Sequence, residues 1–207
     1  MRADIRLWTA IALIGACGFS VTRGSAIVHF SLAMANVDSS EKRDEIINTW
    51  SFVPEVASAA LHAGLTKEID ISDQKAANSR REVLSSILSI EPLSSLDWLS
   101  LSGVQLVTDQ PMGQVLGSLE LSMLTGPNEG YLVAQRGIFG VSLWESLSPY
   151  LKGRVAIDLA AGEITVTGNE KFRAILSAQP ERARNELRAA MLATGLSPKE
   201  VEIRLGF

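Results

Sequence analysis

The apolar positions of the chain recur mostly at three- and four-residue intervals, a spacing typical of one face of an α-helix. Between residues 79 and 149 the apolar runs are punctuated by proline, and Pro92 and Pro127 lie 35 residues apart. Each of these two prolines follows an apolar run, because proline lacks an N–H group and cannot continue the helix before it. A period near 34 residues is typical of helix–turn–helix repeats, so the pattern predicts paired helices.

Helices are predicted over most of the chain after residue 37. They cover residues 44–52, 54–65, 74–90, 93–108, 112–124, 131–147, 150–160, 170–178 and 180–194, with a short helical piece from Ser197. Asp38 or Ser39, and Asp73, are predicted N-caps because their side chains can accept hydrogen bonds from free backbone N–H groups. Residues 162–168 contain the β-branched run 164–167 and are interpreted as an extended loop, since an isolated strand is not stable. The chain is therefore predicted to be all-α.

Residues 7–22 are an uncharged run of 16 residues near the N-terminus. As a helix this run would be about 24 Å long, somewhat short of the ~30 Å hydrocarbon core of a bilayer. A single uncleaved membrane anchor is the leading hypothesis. Three alternatives remain open: a signal peptide cleaved at the A-x-A sequence of residues 33–35, a lipoprotein signal with Cys17 as the lipidated residue, and a buried helix of a soluble protein.

The predicted domain organisation follows from this run. Residues 1–37 are assigned to a membrane anchor or signal segment, and residues 38–207 to a helical repeat-like domain. The short N-terminal flank is positively charged, which for a bacterial host predicts a single-pass protein of the inner membrane. Residues 38–207 would then lie in the periplasm.

Composition excludes several classes of function. The chain is 46% hydrophobic with a formal net charge of −4, which predicts a packed core and argues against a nucleic-acid partner. Cys17 is the only cysteine, so neither an intramolecular disulfide nor a cysteine-based zinc site can form. With only His29 and His62, a histidine-rich metal site is not expected.

Catalytic motifs are weak. Ser39 and Lys42 satisfy the S-x-x-K pattern, but neither S-D-N nor K-T-G accompanies it, and helix capping is the favoured interpretation. The sequence contains no G-x-S-x-G, no P-loop and no G-x-G-x-x-G. Gly113 and Gly117 are expected to allow close packing between two helices. We therefore predict no catalytic, cofactor-binding or metal-binding residues, no cofactor, and no enzymatic activity.

Residues from about 80 to 160 resemble tetratricopeptide-type helical repeats. Trp98 stands at the usual aromatic position of the first helix, Leu101 and Ser102 match the Leu-Gly step with serine for glycine, and Pro127 closes the unit. The next unit departs from the pattern, since Val133 replaces the aromatic residue. The resemblance implies a short right-handed stack of antiparallel helix pairs that binds other proteins on its concave face and has no chemistry of its own. The layout also resembles, loosely, small membrane-anchored helical proteins of bacterial exopolysaccharide or O-antigen loci.

Together these features predict a membrane-tethered adaptor that binds a partner protein in envelope or polysaccharide assembly or export. The repeat geometry places the expected contact surface on the first helices of successive pairs, at Trp98, Gln105, Tyr131, Gln135 and Trp144. Two alternatives remain: a soluble or lipid-anchored structural domain, and a non-catalytic subunit of an envelope enzyme.

Overall fold

The computed structural model describes residues 25–37, 39–51, 53, 56–65, 73–162 and 166–206. These residues form α-helices, one short 3-10 helix and their connections, and no strand occurs among them. The predicted all-α class is thereby confirmed. The chain divides into two compact units, Met1–Ile69 and Asp70–Phe207, whereas the boundary predicted from the sequence follows residue 37.

The described residues of the first unit form three helices: α1 (residues 25–35), α2 (Ser40–Trp50) and α3 (Ala57–Leu65). Helix α2 begins at Ser40, and the predicted cap Ser39 is confirmed, since its side chain accepts a hydrogen bond from the Lys42 backbone N–H at 3.4 Å. The unit packs around buried Phe30, Val56 and Ala60. The rings of Phe30 and Trp50 meet in a tilted arrangement with centroids 6.0 Å apart.

Within the part of the chain that the structure describes, no helix is both long and apolar enough to cross a membrane. The predicted anchor over residues 7–22 and the lipobox-like Cys17 lie outside the described residues. The A-x-A sequence at residues 33–35 forms the end of α1.

The second unit consists of eight α-helices among its described residues. They are α4 (Gln74–Ile90), α5 (Ser95–Val107), α6 (Met112–Thr125), α7 (Gly130–Ser142), α8 (Pro149–Ala161), α9 (Val166–Ala178), α10 (Glu181–Ala193) and α11 (Pro198–Leu205). The predicted bounds of α4 are confirmed at both ends, and its predicted cap Asp73 accepts hydrogen bonds from the backbone N–H groups of Lys75 at 2.9 Å and Ala76 at 3.2 Å.

Two predictions for this unit were wrong in detail. Helix α7 ends at Ser142 and not at residue 147, and Trp144–Ser146 form a separate 3-10 turn before α8. The extended loop predicted over residues 162–168 is already helical from Val166 onward. Local β propensity is weak compared with packing, and α9 is held in place by the burial of Phe172 and Leu176 further along it.

Two pairs of consecutive helices, α5–α6 and α7–α8, form antiparallel hairpins. In the α5–α6 hairpin, Ser95 lies opposite Ser122 and Ser102 opposite Val115. In the α7–α8 hairpin, Gly137 lies opposite Leu159 and Gly140 opposite Val155. Helix α8 then packs against α10, and α7 against α9. The core extends from α6 through α11 and includes Val115, Leu119, Met123, Val141, Trp144, Leu151, Val155, Leu159, Phe172, Leu187, Met191 and Val201.

Glycine marks the closest helix approach, but not at the predicted positions. A Cβ atom on Gly137 would lie 2.8 Å from Leu159 Cδ2, and one on Gly140 would collide with the Val155 side chain. A Cβ atom on Gly113 or Gly117 would meet nothing within 4 Å. The expected close packing at Gly113 and Gly117 is therefore wrong, because α6 buries a different face through Val115, Leu119 and Met123.

Candidate partner-binding surface

Two of the five residues predicted to contact a partner are exposed on one helix face. Tyr131 is 61% exposed and lies in the first turn of α7. Gln135 is also exposed, and four residues along a helix place both side chains on the same face. Tyr131 and Gln135 therefore form a pair that a partner could reach.

The other three predicted residues do not join that pair. Trp144 is buried, and its Nε1–H donates to Glu186 Oε2 at 3.3 Å. Gln105 is buried too, and its Oε1 accepts a hydrogen bond from Ser118 Oγ at 2.8 Å. These two side chains stabilise the interior of the unit. Trp98 is half-buried, and its Nε1–H donates to the Pro92 carbonyl at 2.8 Å.

A larger apolar surface lies where α4 ends, α5 begins, α6 ends and α7 begins. These segments meet at one end of the α5–α6 hairpin, since Ser122 Oγ donates to the Ser95 carbonyl at 2.8 Å and Arg136 Nη1 donates to the Gly126 carbonyl at 2.7 Å. Their exposed apolar side chains define what we call the apolar end: Ile90, Leu93, Leu96, Leu121, Leu124 and Tyr131. Leu93 is 75% exposed and Leu124 57%, so neither serves the core.

The stretch of sequence that supplies the apolar end carries no basic residue. Residues 82–135 contain six carboxylates and no lysine or arginine. Glu91 and Glu129 are exposed, and they are the C-cap residue of α4 and the N-cap residue of α7. The sequence interpretation missed this surface, although the interval between Arg81 and Arg136 without any basic residue was readable as a signal.

Beneath the apolar end lies a fully buried guanidinium. Arg136 Nε donates to Asp158 Oδ2 at 3.0 Å, and Nη1 donates to the carbonyls of Ser122 at 3.0 Å and Gly126 at 2.7 Å. The last carbonyls of a helix have no partner within the helix and carry partial negative charge. Arg136 therefore satisfies the C-terminus of α6 and fixes the segments that carry the exposed leucines.

Burial raises the pKa of Asp158, while the hydrogen bond and the positive charge of Arg136, together with the charge of Arg154, act in the opposite direction. Both side chains of the ion pair are almost completely buried, with exposures of 0% for Arg136 and 2% for Asp158. A perturbed carboxyl group in a cleft is a candidate acid or base. Asp158 has no such access, so its role in this structure is to neutralise Arg136.

The S-x-x-K pattern is explained by capping, as favoured from the sequence. The Ser39 hydroxyl accepts from the Lys42 backbone N–H, so this serine serves as the N-cap of α2. The first unit also carries an open groove of about 340 Å³. Its lining is Ala33, Asn36, Val37, Lys42, Glu45, Ile46, Thr49 and Trp50.

Comparison of the chain with protein-family models, with curated proteins and with solved structures found no match.

Proposed function

We propose that the chain is a helical-repeat adaptor that holds a partner protein on its second unit. The observation that carries this proposal is the regular start of alternate helices. Helices α5, α7 and α9 begin at Ser95, Gly130 and Val166, which are 35 and 36 residues apart. This is close to the period of helix–turn–helix repeats.

The packing between the pairs supports a stack of the tetratricopeptide type. Helices α7 and α9 pack together, and so do helices α8 and α10. In such stacks each repeat contacts its neighbours, and the concave face forms an extended binding surface. Tyr131 and Gln135 lie exposed on α7, the first helix of the α7–α8 hairpin, which suits contact with a partner.

Tethering to a membrane is a further part of the proposal. It rests on the uncharged residues 7–22 and places the helical unit in the periplasm of a bacterial host. A role in envelope or polysaccharide assembly remains a prediction from the resemblance. Carbonate extraction of cell membranes tests the tether: the full chain should stay with the membrane until detergent is added. Release into the soluble fraction would contradict the tether.

Site-specific photo-crosslinking in cells tests the adaptor. A photoreactive residue at Tyr131 or Gln135 should capture one partner protein, while the same residue at Tyr150 should not. Tyr150 is a matched control because it is 55% exposed, close to the 61% of Tyr131, but lies on α8. The absence of any crosslink at Tyr131 and Gln135, or equal capture at Tyr150, would contradict the adaptor.

The captured partner then allows a binding measurement. Replacing Tyr131 with alanine should weaken binding by about tenfold or more, as large exposed aromatic residues do when they anchor an interface. The Tyr150→Ala variant should bind as the wild type does. Equal losses in both variants would show that the effect does not come from a defined surface.

A further inference from the structure

We propose that the apolar end binds a basic amphipathic helix of the partner protein. The proposal rests on the adaptor function and names the chemistry of what the adaptor binds. It joins two independent observations: a cluster of exposed leucines that the core does not use, and the absence of lysine and arginine from residues 82–135, which carry that cluster.

The first observation concerns the apolar side chains. Single exposed leucines are common on protein surfaces and need no explanation. Here six large apolar residues lie on four segments that converge at one end of a hairpin. Leu93 and Leu124, at 75% and 57% exposure, each present more than half of their surface to solvent. Covering them with the apolar face of another helix would remove that surface from water.

The surface continues along the outer face of α6. Leu121 and Leu124 follow Gly113 and Gly117 at helical spacing, and an added Cβ on either glycine would meet nothing. Helix α6 has 14 residues, a length of about 21 Å at ~1.5 Å per residue. A partner helix of three to four turns, roughly 14 residues, would therefore span this face.

Charge identifies the kind of helix. Residues 82–135 carry six carboxylates and no basic residue, and Arg136 does not offset them because it is buried against Asp158. Lysine or arginine residues flanking the apolar face of a partner helix would meet Glu91, Glu120 and Glu129. Opposite charges at the rim of an interface speed association and select the partner.

The same charges disfavour other occupants. A second copy of this chain would bring carboxylates against carboxylates, and like charges across an interface suppress association. An anionic membrane surface attracts basic and not acidic segments. Nucleic acid requires a basic footprint. A basic segment of another protein is the occupant that the charge distribution favours.

A designed peptide provides the probe. The purified full chain is titrated against a fluorescein-labelled helical peptide of about 18 residues. This peptide carries leucine on one face and lysine on the other. A second peptide carries glutamate in place of every lysine. The lysine peptide should bind about tenfold more tightly than the glutamate peptide and lose affinity as salt is raised. Equal binding of the two peptides would overturn the proposal.

Variants locate the binding. The double replacement Leu93→Ser and Leu124→Ser should weaken binding of the lysine peptide by about tenfold, while Ile203→Ser should not. Ile203 is the matched control because it is 63% exposed on α11. Replacing Glu91 and Glu129 with glutamine should make binding of the lysine peptide depend less on salt concentration. Both residues are exposed, so the circular dichroism spectrum of this variant should match that of the wild type, which checks that it is folded. Binding that is unchanged by all four replacements would place the peptide elsewhere and overturn the proposal.

Failure of this proposal can be told apart from failure of the adaptor function. Suppose that a photoreactive residue at Tyr131 captures a partner through a neutral or acidic segment, and the lysine peptide does not bind. The proposal of a basic helix is then wrong, while the proposed adaptor function is still supported. If nothing is captured at Tyr131 or Gln135, the adaptor itself is contradicted. Two further results would overturn the proposal of a basic helix. One is co-sedimentation of the chain with phosphatidylglycerol vesicles that is lost in the Leu93→Ser, Leu124→Ser variant. The other is concentration-dependent dimerisation of the chain that is lost in the same variant.

Discussion

In the α5–α6 hairpin the two helices are joined by hydroxyl and amide side chains, whereas in the α7–α8 hairpin they are joined through glycine and a buried ion pair. Ser102 Oγ donates to the Val115 carbonyl at 2.7 Å, and Ser118 Oγ donates to Gln105 Oε1 at 2.8 Å. In α7–α8, Gly140 packs directly against Val155, and Arg136 pairs with Asp158. The same antiparallel layout is thus stabilised by two different sets of contacts.

The difference explains where the free surface lies. The α7–α8 hairpin places its glycines inward at Gly137 and Gly140, so its apolar side chains interlock within the core. The α5–α6 hairpin places Gly113 and Gly117 outward, with Leu121 and Leu124 on the exposed side. The α7–α8 hairpin therefore packs through its glycine face, and the α5–α6 hairpin leaves apolar area for a partner.

The hairpins nevertheless share one device at their C-terminal ends. Arg136 donates to the Ser122 and Gly126 carbonyls at the end of α6, and Arg204 donates to the Leu159 and Gly162 carbonyls at the end of α8. In each case an arginine from a later helix satisfies carbonyls that the helix itself leaves free. The two hairpins are thus closed in the same way although their interiors differ.

The largest expected effect is the loss of this closure at α6. Replacing Arg136 with alanine should lower the free energy of unfolding by roughly 3–5 kcal/mol, because Asp158 would keep a buried charge without its partner. Urea denaturation followed by circular dichroism measures the change. The control is Arg182→Ala, whose exposed ion pair with Glu145 should contribute about 1 kcal/mol at most.

A second variant checks the cause. The double replacement Arg136→Met with Asp158→Leu removes both charges and should recover part of the loss, since a matched apolar pair is often tolerated. If the double variant were less stable than Arg136→Ala, the ion pair would not be the source of the effect.

Alanine at glycine should act with opposite sign in the two hairpins. Gly140→Ala places a methyl group against Val155 and should cost about 1–3 kcal/mol by overpacking. Gly117→Ala meets no neighbour and should stabilise the chain by about 0.5–1 kcal/mol, because alanine favours the helix more than glycine does. The midpoint of urea unfolding distinguishes the two. A shift of the same sign in both variants would contradict the assignment of inward and outward glycines.

The polar contacts of α5–α6 predict a loss of stability similar to that of Gly140→Ala. Ser118→Ala removes the hydrogen bond to the buried Gln105 amide oxygen and should cost about 1–3 kcal/mol, since that oxygen would lose its partner. Ser85→Ala is the matched control, because the exposed Ser85 hydroxyl donates to the Arg81 carbonyl of its own helix. It should change stability by no more than about 0.5 kcal/mol. Equal effects would show that the buried hydroxyl has no special role.

The sequence predicted the helices well and their facing surfaces poorly. The bounds of α4 followed from the Asp73 cap and the apolar spacing before Pro92, which are local signals. The burial of Gln105 and Trp144, and the outward position of Gly113 and Gly117, depend on how each helix rotates toward its neighbour. Spacing along one helix shows that an apolar face exists but not which small or polar residues the neighbouring helix will accept.

The smallest expected effect concerns two carboxylates whose pKa values shift in opposite directions. The hydrogen bond from Lys152 lowers the pKa of Glu186 below its usual 4.5, so its contribution to stability is present above that value and is lost as the pH falls through the folded-state pKa. Burial raises the pKa of Asp158 above its usual 3.8. Its contribution has the opposite sign: it is fully present below the unfolded value and is lost as the pH rises through the folded-state pKa.

Urea unfolding midpoints measured from pH 7 to about pH 3 for the wild type, Glu186→Gln and Asp158→Asn separate these contributions. On acidification the wild type should lose its advantage over Glu186→Gln, because protonation ends the attraction to Lys152. Over the same range the wild type should gain relative to Asp158→Asn, because protonation removes a buried negative charge. If both differences changed in the same direction, the contrast between a solvated and a buried ion pair in this unit would be wrong.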